Sequence, residues 1–205
     1  MPEIPQRQVR AEFDGATIVV YQAYPPAITD AAVASGKFVS PFKRERMTWI
    51  KPSFLWMMYR SGWATKPGQE RVVAVRITRT GFEEALAASC LSHFDRSVYA
   101  DAAAWTARKQ RSEVRVQWDP ERTPSGSPLP HRSLQVGLSG SAVSAYIDEW
   151  IVGIDDVTEQ AHHLHGLLRS DPDAVAAVLP PEIPYPLPDE VAQVIGATPT
   201  PVAAR

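Results

Sequence analysis

The stretch RMTWIKPSFLWMMYRSGW, residues 46–63, constrains the fold more than any other part of the chain. MTWIK has the β-branched and aromatic character of a strand, and Pro52 stops it. Ser53 then stands where a helix cap belongs and Gly62 supplies a stop, so the spacing predicts a helix over 54–61. Phe54, Leu55, Trp56, Met57, Met58 and Tyr59 follow one another in that helix, a row that a surface helix does not carry. Yet Arg46, Lys51 and Arg60 punctuate the segment, and a plain core helix has no need of them. Lys51 at the strand's end meets the predicted helix N-terminus, whose free N–H groups and dipole favour an anion, so Lys51 and Ser53 read as a phosphate-binding corner. Arg46 and Arg60 flank the rings of Trp49, Trp56 and Tyr59, a mixture suited to a planar, charged ligand such as a nucleotide or an exposed base. The plain alternative is that the rings are core and the cations snorkel to solvent.

The rest of the chain limits where such a site can sit. At 205 residues it fits one domain with a single core. No run of about 18 apolar residues suits a membrane span, and the start MPEIPQRQVRAEFD lacks the apolar centre of a secretory signal. The one cysteine, Cys90, reads as a small buried residue in a reducing compartment, so the expectation is a cytoplasmic protein with no membrane partner. Net charge is -2, but nine Lys and Arg fall between Lys37 and Arg76 against only Glu45 and Glu70. A basic patch on a mildly acidic chain selects a local anion.

Strand patterns cover ATIVVYQAY, ERVVAVRITR, EVRVQWD and SLQVGL, and helical patterns cover AITDAAVASG, FEEALAASCL after a loop at Gly81, ADAAAWTARKQR and VTEQAHHLHGLLRS. PERTPSGSPLPHR reads as a long loop joining two strands of a hairpin. Tyr146 to Ile154 reads as a strand, with or without a preceding helical turn. Mixed elements without regular βαβ alternation argue for α+β. The predicted domain spans 1–170, with an arm at 1–15; the tail from 171 to 205 holds eight prolines and is expected to wrap the surface without packing as an element.

Other candidates are fewer. In VYQAY, Tyr21 shares a strand face with Ala23 while Gln22 points to the opposite face with its amide in search of partners. His162, His163 and His165 lack the companions of a zinc site and read as solvated helix residues, so no metal is expected. Asp119, Glu121, Asp148, Asp155 and Asp156 read as a solvated rim, and only Glu149, beside Trp150, is placed to do more. No G-x-G-x-x-G, G-x-x-x-x-G-K-[ST] or G-x-S-x-G occurs, which removes the usual support for Rossmann, P-loop and hydrolase readings.

From TIVVYQAYPPAITDAAVASGKFVSPFKRERMTWIKPSFLWMMYRSGW through RSLQVGLSG and EWIVGIDDVT, the chain resembles the domain-of-unknown-function family numbered 4291. The order of its elements also resembles the ADP-ribosyltransferases, nearest to those that modify nucleic-acid bases. That resemblance implies a split β-sheet core with flanking helices, and NAD held in the cleft between the sheet halves. Carried over by position, Tyr21 and Gln22 lie on the first strand that holds ADP-ribose, with Gln22 replacing the usual His or Arg. Trp49 or Tyr59 supplies the ring that stacks on nicotinamide. Gln135 stands at the place of the catalytic glutamate, where an amide carries no charge, and Glu149 is the other candidate for the ribose 2'-OH. Arg10, Arg46, Lys51 and Arg60 would meet the diphosphate, with Ser53 beside them. The expected function is transfer of ADP-ribose to an acceptor, RNA or DNA among them; the rival reading is a non-catalytic nucleotide- or RNA-binding module using the same cleft.

Overall fold

A computed structural model describes residues 4–198; the first three residues of the arm and residues 199–205 of the tail lie outside that range. Along the chain run β1 (Arg10–Ala11), β2 (Thr17–Tyr24), α1 (Pro26–Ser35), β3 (Thr48–Ile50), α2 (Phe54–Ser61), β4 (Arg71–Thr78), α3 (Arg79–Ala88) and β5 (Cys90–Leu91). Then come α4 (Ala102–Arg111), β6 (Val114–Arg122), β7 (Pro128–Leu138), α5 (Ser141–Ala145) running into a π-helical turn (Tyr146–Trp150), and β8 (Ile151–Asp156). The C-terminal elements are α6 (Thr158–Ser170), α7 (Pro172–Val178), β9 (Ile183–Pro184) and α8 (Asp189–Ile195). The chain is a single α+β domain.

Two sheets organise it. One has the order β2-β4-β8 and is antiparallel throughout; the other has the order β3-β7-β6-β5, with only β5 and β6 parallel. Alternation decides their faces. Ile18 and Val20 of β2, Val75 and Ile77 of β4, Val116 and Trp118 of β6, and Val136 and Leu138 of β7 all enter one core. The opposite side of β2 is also buried, where Val19 and Tyr21 join Phe54, Met57 and Met58 of α2 and Leu164 of α6 in a second cluster. Full burial of each of the large α2 side chains is worth roughly 1.5–3 kcal/mol, which is why that apolar row can sit next to cations without becoming a surface.

Helix α2 runs over the predicted residues: the Ser53 hydroxyl accepts from the Trp56 amide at 3.1 Å, and Gly62 closes the helix in the left-handed conformation with φ 60°. Gly81 lies inside α3 and not in a loop; a Cβ there would meet the Trp150 ring at 2.4 Å, so the glycine serves a close approach between helix and indole. The expected long loop after EVRVQWD is strand for most of its length, since β6 and β7 leave only 123–127 between them. The prolines fit because Arg132 turns its N–H away from β6, to the Gln6 carbonyl at 2.8 Å. Pro128 and Pro130 share that parity, so their missing donors fall on the outer edge of the strand.

The proline-rich tail packs as elements, against expectation. β9 pairs with β1 in the N-terminal arm, and Tyr185, Val191 and Ile195 are buried in the main core. Prolines punctuate this region without breaking it, with Pro172 opening α7 and Pro188 preceding α8. Cys90 is fully buried, and among the described residues no helix is long and apolar enough to cross a membrane.

Candidate functional site

Strands β2 and β3 lie side by side without forming a ladder. Their link is one bridge, in which the Tyr21 amide donates to the Lys51 carbonyl at 2.7 Å and the Lys51 amide returns to Tyr21 at 3.3 Å. Beyond it the strands part, and the gap is held by side chains. Gln22, 2 % exposed, donates from Nε2 to the Thr48 hydroxyl at 2.6 Å and the Tyr24 hydroxyl at 2.7 Å, and its Oε1 accepts from Tyr146 at 2.6 Å. Gln22 therefore holds the split together; its amide is committed to protein partners and not offered to a ligand. Replacing it by Ala strands the fully buried Tyr146 hydroxyl, and Gln22→Ala is expected to cost about 2–4 kcal/mol of stability. Urea denaturation measures this, and a loss below about 1 kcal/mol would mean that the clamp is not needed.

A cleft of about 790 Å³ opens at the split, and its lining includes Gln22, Arg46, Trp49, Lys51, Arg60 and Gln135. Residues up to 113 positions apart in sequence thus line one cleft. The floor follows from register. Trp49 pairs with Gly137, and Gln117 of β6 pairs with Gln135 of β7. Since Val116 and Trp118 enter the core, alternation sends Gln117 and Asp119 to the cleft side. Gly137 leaves room there for the indole, because a Cβ would stand 2.9 Å from Trp49 Cζ2 and 2.9 Å from Met47 Sδ.

The residue that sequence reasoning missed is Asp119, which was assigned to a solvated rim. It lines the cleft, and its carboxylate accepts from Gln117 Nε2 at 2.8 Å and from Gln135 Nε2 at 2.5 Å. The strict alternation of VRVQWD, with Val114, Val116 and Trp118 inward, was the signal that pointed to it. Opposite, Lys51 is buried at 6 % exposure, with its Nζ donating to the Trp49 carbonyl at 3.2 Å and lying 5.4 Å from the Trp56 ring. Burial first, and the Arg60 charge second, bring its pKa down to about 7, while Asp119 acts in the opposite direction. Arg46 and Arg60 are exposed at the cleft's edges, and neither they nor Lys51 makes an ion pair among the described residues.

Five expected site residues lie elsewhere in the fold. Tyr21 is buried in the second cluster with its ring edge-on to Phe54 at 5.4 Å. Ser53 is occupied as the α2 cap. Arg10 does fold back, but onto the tail, donating to the Glu182 carbonyl oxygen at 2.8 Å and to Gln8 at 3.1 Å. Tyr59 is 42 % exposed outside the cleft, under the Arg122 guanidinium at 3.7 Å. Glu149 is exposed on the π-helical turn. The predicted phosphate corner is also closed: the first amide of α2, that of Phe54, donates to the Glu182 carboxyl at 2.6 Å. Burial pushes that carboxyl up to about 8, and the tail has thereby taken the place an anion would occupy. Of the histidines, His165 stacks on Trp63 at 5.4 Å, and no group of potential metal ligands occurs among the described residues.

No curated protein matches the chain. Its match is to the family described as Domain of unknown function (DUF4291), over residues 8–185. That span takes in both sheets, the whole cleft and the tail as far as Tyr185, and the chain belongs to this family.

Proposed function

We propose that the cleft binds NAD and that the protein is an ADP-ribosyltransferase-like enzyme, passing ADP-ribose to an acceptor such as a nucleic-acid base. The observation that carries this reading is the Asp119 carboxylate, braced by Gln117 and Gln135 on the cleft floor. Breaking the bond between ribose C1 and nicotinamide builds an oxocarbenium-like sugar, and a fixed carboxylate stabilises that charge as it develops. Gln135 alone has no charge to give. Asp119, hydrogen-bonded to it, supplies the charge from the neighbouring strand.

The remaining groups fit the rest of the dinucleotide. Arg46 and Arg60 suit the diphosphate, and the indoles of Trp49 and Trp56 suit a flat ring. The volume lies within the roughly 300–1,000 Å³ usual for small-molecule sites. The parting of β2 from β3 supports a split core of the ADP-ribosyltransferase kind, with Gln22 joining the halves where that family's first-strand residue would hold its ligand.

Calorimetry with NAD, and transfer of labelled ADP-ribose to RNA, DNA and protein, test the proposal. Binding and transfer are expected in the wild type, with transfer reduced about tenfold or more in Gln135→Ala as Asp119 loses a brace. No affinity at millimolar NAD would end the reading. The rival reading places single-stranded nucleic acid in the same cleft, with the rings of Trp49 and Trp56 against bases and the exposed Arg46 and Arg60 against phosphates. Binding of a single strand there would weaken steeply with salt as counterions are released, whereas NAD in a formed cleft would depend on salt far less.

A further inference from the structure

The Lys51 amine is the least compensated polar group in the cleft. It is buried, and among the described residues it has a single hydrogen bond, to a carbonyl oxygen, and no ion pair. The charged groups lining the cleft around it come from three elements: Arg60 of α2 and Lys43 and Arg46 of the loop before β3 share its sign, and Asp119 of β6 opposes it from a carboxylate already holding two amides. The α2 N-terminus cannot recruit an anion to its side because Glu182 and Ser53 cap it. An amine in such surroundings is disfavoured as a cation and favoured as a free base, the condition of a lysine nucleophile. Around it lie hydroxyl-binding amides at Gln117 and Gln135 and phosphate-binding cations at Arg46 and Arg60.

We propose that Lys51 is a nucleophilic amine that condenses with the aldehyde carbon of an open-chain sugar phosphate seated in the cleft. The Nζ lone pair forms the C–N bond, and the carbonyl oxygen takes up a proton as Nζ loses one, giving a carbinolamine. The C–O bond then breaks, the oxygen leaves as water after accepting a proton, and the last Nζ proton passes to Asp119 or solvent. One amine and one aldehyde yield one imine and one water, without oxidant or reductant. The inference does not require NAD: ribose 5-phosphate has the reactive aldehyde, and ADP-ribose has the same aldehyde on the larger ligand.

The experiment incubates the whole protein with ribose 5-phosphate, and separately with ADP-ribose, in cyanoborohydride, which reduces an imine to a stable secondary amine. Peptide mapping scores all five lysines: Lys37, Lys43, Lys51, Lys66 and Lys109. Labelling at Lys51 is expected to run at least about tenfold faster than at any other, with its rate rising through an inflection near pH 7. Lys51→Met, which fills a similar space without a nucleophilic amine, is expected to lose that label alone. If the variant fails to fold, the selectivity and pH profile of the wild type still decide. Uniform labelling, labelling led by exposed Lys43 or Lys66, or an inflection near that of a free lysine overturns the inference. ADP-ribose bound by calorimetry without a Lys51 adduct from either sugar overturns it and leaves the NAD reading standing. An adduct with ribose 5-phosphate but no affinity for NAD or ADP-ribose supports it and counts against that reading.

Discussion

Asp119→Asn is expected to slow nicotinamide release from NAD by about 10²–10³-fold while leaving NAD affinity within a few fold, the magnitude that removal of one preorganised electrostatic partner costs in other enzymes. The side chains are isosteric, and the asparagine Oδ1 still accepts from one of the two amides that now converge on the carboxylate, while the other amide turns its own oxygen toward the Nδ2 donor. The change therefore removes the charge and keeps the shape of the cleft floor. Near-UV circular dichroism monitors the fold, and single-turnover rates with calorimetric affinities separate the bond-breaking step from binding. Release within about tenfold of wild type would remove Asp119 from the chemistry and with it the main support for the transferase reading.

Lys51→Met is expected to make the protein more stable at pH 6, by roughly 5 kcal/mol. The folded state holds Lys51 near pKa 7, against 10.5 for a free lysine. Between those values the unfolded chain carries a proton that the folded chain does not, so stability rises with pH across the window. Below about pH 7 the cost of burying the amine is fully present, and toward pH 10.5 it fades. Methionine fills a similar space without it. The advantage of the variant should thus be largest at pH 6 and shrink toward pH 10. Comparing the two proteins cancels other titrating groups such as Glu182. Urea denaturation across that range is the measurement, and an advantage that stays constant with pH would show that the amine is not desolvated in the fold.

Much of this arrangement was legible because local signals and packing agree. Pro52, Ser53 and Gly62 bound α2 to the residue, and alternation in VVAVRI and VYQAY fixed both faces of their strands. The cluster of Arg46, Trp49, Lys51 and Arg60 was visible because its members lie close in sequence. The role of Asp119 needs the register of a hairpin whose prolines disguised its length; without the pairing of Gln117 with Gln135, the carboxylate could not be set beside its braces. The tail misled for a related reason. Its prolines suggested a wrapping segment without elements of its own, yet DEVAQVIG has acidic residues in a first turn, an apolar i, i+4 pair and a terminal glycine, the marks of the short helix α8. Glu182 had no local signal at all. Its contact with Phe54 spans 128 residues and arises only when the tail is drawn across β1.

The single bridge between Tyr21 and Lys51 also sets how the molecule can respond to what enters it. The residue whose backbone joins the two sheets is also the one whose amine is buried in the cleft, so seam and side chain are carried by one rung. A guest broad enough to wedge the lips apart would tug on that rung and shift the amine with it.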